Sequence, residues 1–259
     1  MRKLWTKWIG KLRRLDAKQG YCCDLCGRET FAYPMRRLCE SCESSLVHND
    51  PNRICDKCGR TTRNKGVCLD CKSALPAFTR GFSPYVYGGT ASALVNGLKT
   101  GKHRLAYFLG EKMADYFAEV YQTLLENHCE EPLLLVAVPC TEKTLLSRGY
   151  NQAEELVSVI AKRLALHGVP VEVGENILQK RKETAQQKHL NFFQRAKNVE
   201  GAYHVHKRKE CKNRTVLLID DVMTTGATGN ECARRLFGAG ASEVYFLVSA
   251  MLPEKEKLS

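Results

Sequence analysis

Between Val216 and Gly229 the chain passes from an apolar run through two adjacent carboxylates into a turn of small and hydroxylated residues, and no other stretch limits the fold so tightly. Val216 to Ile219 has the unbroken apolar pattern of a short strand buried on both faces, and residues 230 to 236 read as a helix. Gly226 and Gly229 supply the backbone freedom that a sharp strand-to-helix turn needs. Such a turn leaves its amides free. Thr224, Thr225, Gly226, Ala227 and Thr228, with the N–H groups that open the helix, make a pocket suited to a phosphate dianion, aided by the positive end of the helix dipole. Asp220 and Asp221 stand at the strand's carboxyl end, just before it. Two carboxylates there would repel a phosphate unless they bind something between them, and the hydroxyls of a phosphorylated sugar fill that role, with or without Mg2+. The bland alternative is a bend whose glycines only turn the chain and whose acids are solvated. It is the weaker reading for this many matching positions in this context.

The pattern of two acids, two apolar residues and Thr-Thr-Gly-Ala-Thr resembles the signature with which type I phosphoribosyltransferases bind phosphoribosyl pyrophosphate (PRPP). The resemblance implies that Asp220 and Asp221 hold the ribose 2′- and 3′-hydroxyls. It implies that Thr224, Thr225, Gly226, Ala227 and Thr228 hold the 5-phosphate.

A chain of 259 residues exceeds one average domain, and with 44% hydrophobic and 26% charged residues nothing points to wholesale disorder. No apolar run approaches the ~18 to 20 residues needed to cross a bilayer. The first 21 residues are basic and lack both a continuous apolar core and a small-residue cleavage site, so no signal peptide is expected and the cytosol is the expected compartment. Nine of the thirteen cysteines fall within the first 71 residues, and in a reducing compartment they read as metal ligands in preference to disulfides. Cys23-x-x-Cys26 is followed after twelve residues by Cys39-x-x-Cys42, and Cys55-x-x-Cys58 after nine by Cys68-x-x-Cys71. Each half predicts one closed, structural Zn(Cys)4 site, with Gly27 and Gly59 completing zinc knuckles. Cys22 could replace Cys23, although only Cys23 keeps the two-residue spacing to Cys26. Redox cysteines or an iron–sulfur site fit this loop-rich context less well. The formal net charge is +12, and two thiolate-bound zinc ions would leave about +8, which suits phosphorylated or polyanionic partners without choosing among them.

Taken in order, residues 1–21 form a basic N-terminal segment with Trp5 and Trp8 near helical spacing. Its preferred reading is a leader helix packing those tryptophans on the next domain. Peripheral contact with an anionic membrane, or with nucleic acid, is the sharper one. Residues 22–75 follow as a double zinc ribbon, and the texture changes near Leu75. From there, strand-like Tyr85 to Tyr87, helices over 91–99 and 105–125, a strand over 133–139, a helix running to about Leu166 and a last strand over 244–250 alternate as in an α/β parallel sheet with helices on both faces. The loop from Cys140 to Arg148 leaves the strand end beside which a ligand would bind, making Arg148 a second candidate phosphate contact. Residues 180–214 carry an excess of eight positive charges, read either as a polar flap closing on pyrophosphate or as a solvated basic loop. Cys129, Cys140, Cys211 and Cys232 have no partners at metal spacing.

The double ribbon, Tyr87-Gly-Gly with Leu98-Lys99, Val138-Pro139, the run from Arg148 to Ala153, Arg181 with Thr184, Gln187, Leu190, Arg195 and Asn198, and the Asp220 signature together resemble the ComF family over nearly all of residues 22–250. That resemblance implies a type I phosphoribosyltransferase-like domain over 76–259 behind a zinc ribbon, two structural zinc ions, and Mg2+ accompanying PRPP. It also implies a role in natural competence, the uptake of single-stranded DNA, with other competence proteins as partners. Two alternatives accompany it: a non-catalytic nucleic-acid adaptor on the same scaffold, and a relative acting in gluconate utilisation. Cys140 follows Val138-Pro139 where the family repeats Val-Pro. In purine-salvage phosphoribosyltransferases an aspartate stands where this chain has Thr224, and a threonine does not serve as a base at neutral pH. The acceptor, and any catalytic residue, are left open.

Overall fold

The apolar runs become strands of one parallel sheet in the computed structural model, which describes residues 22–30, 36–63, 65–124, 131–181 and 197–254. The strands are β1 (Arg80–Phe82), β2 (Tyr85–Val86), β3 (Leu133–Ala137), β4 (Val171–Val173), β7 (Thr215–Met223) and β8 (Glu243–Met251). A separate antiparallel pair joins β5 (Leu178–Lys180) to β6 (Tyr203–Val205). In the sheet the order is β1-β8-β7-β3-β4, β2 continues beside β8, and every pairing is parallel.

Period-two alternation assigns side chains to the two faces. Leu134, Val136, Val216, Leu218, Val244, Phe246 and Val248 share one apolar cluster with Cys232, Ala233 and Leu236 of α8 (Ala227–Gly238). On the other face α6 (Gln152–Leu166) packs against β3, β4 and β7, and against α4 (Leu105–Leu124). Gly110 of α4 allows that helix pair to close, because a Cβ there would lie 2.8 Å from Val159. Phe117 of α4 meets Phe82, which in turn meets Tyr245. The sheet is covered on both faces, as the continuous apolar strands require.

The crossover from β3 leads outward to β4, whereas that from β7 leads through α8 to β8 on the opposite side. Strand order therefore reverses between β3 and β7, and their carboxyl ends flank the crevice where open α/β sheets bind ligands. The segments leaving those ends are the two singled out in the sequence.

Three local features depart from expectation. β7 runs on through Asp220 and Asp221 to Met223, because its ladder with β8 persists at Asp220↔Val248, Val222↔Ala250 and Met223↔Met251. α8 starts at Ala227, directly after Gly226, which takes the left-handed conformation at φ 78°. The loop after β3 contains a further helix, α5 (Glu142–Arg148), capped by the Thr141 hydroxyl and stopped at Gly149 with φ 84°.

By packing, the chain separates into residues 1–45 and 46–259. The change of texture near residue 75 is therefore not where the packing divides: the second cysteine tetrad shares the cluster that holds Phe78, Leu218 and Phe246. In the smaller unit, the described residues comprise the first tetrad and α1 (Glu40–Ser44). The larger unit adds α2 (Leu69–Ser73), α3 (Gly89–Lys99) and α7 (Arg208–Cys211). The basic segment 1–21, and Thr184, Gln187, Leu190 and Arg195 of the basic stretch, lie outside the described residues. The rest of that stretch is less polar than a flap: Val199, Ala202, Tyr203, Val205 and Cys211 are all buried. Among the described residues, no helix is long and apolar enough to cross a membrane.

Candidate functional site

Asp220 and Asp221 are carried by consecutive positions of β7, so their side chains leave opposite faces of the strand. Asp221 is buried, and its Oδ2 lies 3.1 Å from Lys99 Nζ at the end of α3, without the alignment of a hydrogen bond. Its backbone carbonyl accepts from the Ser249 hydroxyl at 2.5 Å on the neighbouring strand. The Asp220 carboxylate accepts the Asp221 N–H at 2.8 Å. Burial and the adjacent Asp221 charge push the Asp220 carboxyl up to about 7, against the opposing pull of Lys99, the Asp221 N–H and Lys180.

Beyond β7, residues 224 to 228 are all half-buried, forming a recessed turn with some access to solvent. The Thr225 hydroxyl accepts from the Ala227 N–H at 3.4 Å, and the Gly226 carbonyl accepts from the Asn230 N–H at 2.8 Å to begin α8. Gly229 sets the helix close on the sheet, since a Cβ there would fall 2.4 Å from the Phe246 ring. Asp220, Asp221, Thr224, Thr225, Gly226, Ala227 and Thr228 thus form one continuous acid–turn–helix surface at the sheet's carboxyl edge.

Arg148 occupies the last turn of α5, on the segment that leaves β3. Its guanidinium donates to the Gln152 side chain, and its charge reaches Cys140 and Tyr150. This segment is tied down at two points. Asn151, buried, caps α6 by accepting the Ala153 N–H at 3.1 Å and donates to the Val138 carbonyl at 3.2 Å. The Tyr150 hydroxyl donates to the Leu98 carbonyl, next to Lys99. The ends of α3, β3 and β7 thereby converge.

Two participants carried no role in the sequence reading. Lys99 appeared there only within Leu98-Lys99, and its pairing with Asp221 spans the fold. Tyr203 was hidden in the basic stretch. Its hydroxyl bonds to Thr228, burial raises its phenol well above the ordinary range, and Lys180 Nζ stands 5.4 Å over its ring. Burial lowers the Lys180 amine. Alternation of Tyr203 and Val205 was the available signal for a half-buried strand.

The cysteines form two tetrads, Cys23, Cys26, Cys39, Cys42 and Cys55, Cys58, Cys68, Cys71, with each set of sulfurs within 4.8 Å of one another. Cys22 stands outside the first set. The Cys26–Cys39 and Cys58–Cys68 sulfurs are each 3.7 Å apart, close to the edge of roughly 3.8 Å expected of a tetrahedron with 2.3 Å zinc–sulfur bonds. Both knuckles share one backbone course. Gly27 N–H reaches the Cys23 carbonyl and Gly59 N–H the Cys55 carbonyl, each at 2.9 Å, and the two glycines have φ 75° and 76°. Cys39 and Cys68 cap five-residue helices. In the second tetrad the Cys58 and Cys68 N–H groups point to Cys55 Sγ at 3.5 and 3.3 Å. Arg60 stands against it with a buried Nε that has no hydrogen-bond partner among the described residues. The sulfur spacing lets both tetrads hold zinc as closed sites without an open coordination position, and in the second the donors aimed at sulfur favour thiolates.

The phosphoribosyl transferase domain family matches residues 144–259. Competence protein F of Haemophilus influenzae is 24% identical over 219 residues, covering 80% of this chain and 93% of that protein. DNA utilization protein YhgH of Salmonella typhimurium is 26% identical over 224 residues, 86% of this chain and 93% of that one. Competence protein ComFC of Bacillus subtilis is 25% identical over 216 residues, 80% of each. A solved hypoxanthine phosphoribosyl transferase of Trypanosoma cruzi aligns at 14% identity and a TM-score of 0.36, over 56% of this chain and 64% of that one. The matched domain and the covered parallel sheet give the larger unit the type I phosphoribosyltransferase fold.

Proposed function

Because the chain belongs to the ComF family and carries a phosphoribosyl transferase domain, we propose that it binds Mg2+-complexed PRPP at the β7–α8 turn, in the cytosol, in support of single-stranded DNA uptake during natural transformation. One observation carries this reading: an acid pair, Asp221 buried and Asp220 half-buried, runs directly into a recessed, amide-rich turn at the point where strand order reverses. Asp220 and Asp221 bind the ribose hydroxyls, and residues 224 to 228 with the start of α8 bind the 5-phosphate. Lys99 holds Asp221 in place. Arg148 and the basic residues near Lys180 and Arg181 face the charge of the departing pyrophosphate. Mg2+, when bound, neutralises part of that charge. Departure of pyrophosphate leaves positive charge on ribose C1, which a nucleophile then captures. Thr224 offers no base for a purine, so the acceptor differs from those of purine salvage. The two tetrads act as structural zinc sites, the second inside the same unit as the sheet.

Titration of the zinc-loaded protein with Mg2+ and PRPP tests the reading. Asp221→Asn is expected to weaken binding by at least tenfold, and an unmodified protein with full zinc and no PRPP affinity would refute it. Pyrophosphate release, screened against amines, bases and single-stranded DNA, tests turnover. The charge of +12 favours a second reading, an adaptor that binds single-stranded DNA through its phosphates. That reading expects steeply salt-dependent DNA binding that Asp221→Asn leaves unchanged.

A further inference from the structure

Arg60 follows the second knuckle, is 4% exposed, and makes contacts in three directions. Its Nη1 donates to Asp70 of α2 at 2.7 Å, and its Nη2 donates to the Thr224 carbonyl at 3.3 Å, 164 residues away in the chain. The Arg60 carbonyl accepts the Cys55 N–H at 2.8 Å, which ties the residue to the tetrad, and Asp70 lies between Cys68 and Cys71 on the tetrad's other half. One planar cation thus bridges a metal-binding tetrad and the first residue of the turn assigned to phosphate.

The knuckle cannot shift to absorb a change. Gly59 and Gly81 face each other so closely that a Cβ on Gly59 would lie 2.2 Å from the Gly81 carbonyl, and one on Gly81 would lie 2.4 Å from that of Cys58. The Gly81 N–H donates to the Lys57 carbonyl at 2.9 Å, and Lys57 Nζ donates to the Thr79 carbonyl at 3.0 Å. Beyond β8, Glu254 donates its N–H to the Thr61 carbonyl and accepts the Leu69 N–H, each within 2.9 Å. With both flanks fixed, Arg60 stands in a set place relative to the turn. A peptide unit is planar and trans, so a Thr224 carbonyl held by Arg60 fixes the Thr225 N–H on the side away from it.

We propose that Arg60 is a positioning residue that couples metal occupancy of the second tetrad to the backbone of the phosphate turn. Metal joins the knuckle that carries Arg60 to the Cys68–Cys71 turn that carries Asp70, so the guanidinium is held between Asp70 and the Thr224 carbonyl. Without metal the two halves are no longer joined, and the turn loses its outside support. The effect on ligand rests on the PRPP reading above, whereas the effect on the turn does not. Coupling of this kind is reciprocal, so a ligand on the turn must also perturb the metal site.

Hydrogen exchange of the turn amides in full-length, metal-loaded protein without ligand is the primary test. Arg60→Met with both metals retained is expected to speed exchange at residues 223–228 by about tenfold or more. Asp70→Asn, which leaves the Thr224 contact in place, is expected to change it by less than twofold; a purely structural role in the ribbon would move both alike. Arg60→Lys keeps a charge but offers a single nitrogen, unable to reach both Asp70 and Thr224, and is expected to resemble Arg60→Met; it decides the matter if the methionine variant does not hold metal. With Co2+ in the second tetrad of a Cys23→Ser/Cys26→Ser protein, adding Mg2+ and PRPP is expected to shift the cobalt–thiolate absorption bands, and Arg60→Met to abolish the shift. Wild-type exchange at 223–228 in metal-loaded Arg60→Met or Arg60→Lys would overturn the proposal. Failure of the parent protein to bind PRPP would overturn the PRPP reading alone, since the exchange comparison needs no ligand.

Discussion

Side-by-side carboxylates at a buried strand end are unfavourable for folding, and Asp220 carries the cost, with its carboxyl pushed up to about 7 by burial and the neighbouring Asp221. The unfolded chain titrates this group near 3.9, so between roughly pH 4 and 7 the folded state holds more protons than the unfolded one. Stability from this group therefore falls as pH rises through that window and is at its lowest above it. Asp220→Asn removes the penalty. At pH 8 it is expected to raise stability by at least about 1 kcal/mol, with the advantage closing by pH 4, as followed by thermal melts across that range. The same variant is expected to weaken Mg2+–PRPP binding, and parent affinity to rise from pH 6 to pH 8 as the carboxylate forms. A variant less stable than the parent at pH 8 would mean that Lys99 and Lys180 already compensate the pair. Sites that trade stability for binding behave in this opposed way.

At the scale of elements, the two knuckles are the same backbone motif in different surroundings, and one substitution separates the two terms. A Cβ at Gly27 meets nothing within 4 Å, so Gly27→Ala carries only the strain of φ 75°, about 1 to 2 kcal/mol. Gly59→Ala adds a 2.2 Å collision with the Gly81 backbone and is expected to cost about 3 kcal/mol, read as weaker metal retention in competition with a chelating dye. Equal losses would show that the approach of knuckle and strand is relaxed in solution. The knuckles themselves were legible in the sequence, because a Cys-x-x-Cys turn followed by glycine is a local requirement of bringing two sulfurs to one metal. So were β3, β7 and β8, whose apolar runs admit little else. What stayed hidden was tertiary. Nothing local marks Gly81 as the partner of Gly59, pairs Lys99 with Asp221, or brings Tyr203 to Thr228. β7 outran its apolar core because β8, not its own side chains, kept the ladder going past Asp221.

For the molecule as a whole, the placement of the second tetrad decides what metal loss does. Its four cysteines are buried in the same cluster as Phe78, Leu134, Leu218 and Phe246, so within residues 46–259 the tetrad and one face of the sheet form a single core. Stripping that metal removes the link among the four sulfurs and frees the chain between Cys55 and Cys71. Binding free energy at such a site is folding free energy. Sheet and tetrad are therefore expected to melt as one cooperative step, unlike a ribbon that merely precedes a self-sufficient domain. In Cys23→Ser/Cys26→Ser protein, which retains only the second site, release of zinc to a dye and loss of helical circular dichroism should coincide on heating. Cys55→Ser/Cys58→Ser should lower that midpoint, and a loss of about 3 kcal/mol corresponds to roughly 6 to 12 °C for a unit of this size. Zinc leaving well below the unfolding midpoint, with the sheet intact, would mean that the sheet needs no support from the metal and that the shared cluster is contact without cooperativity.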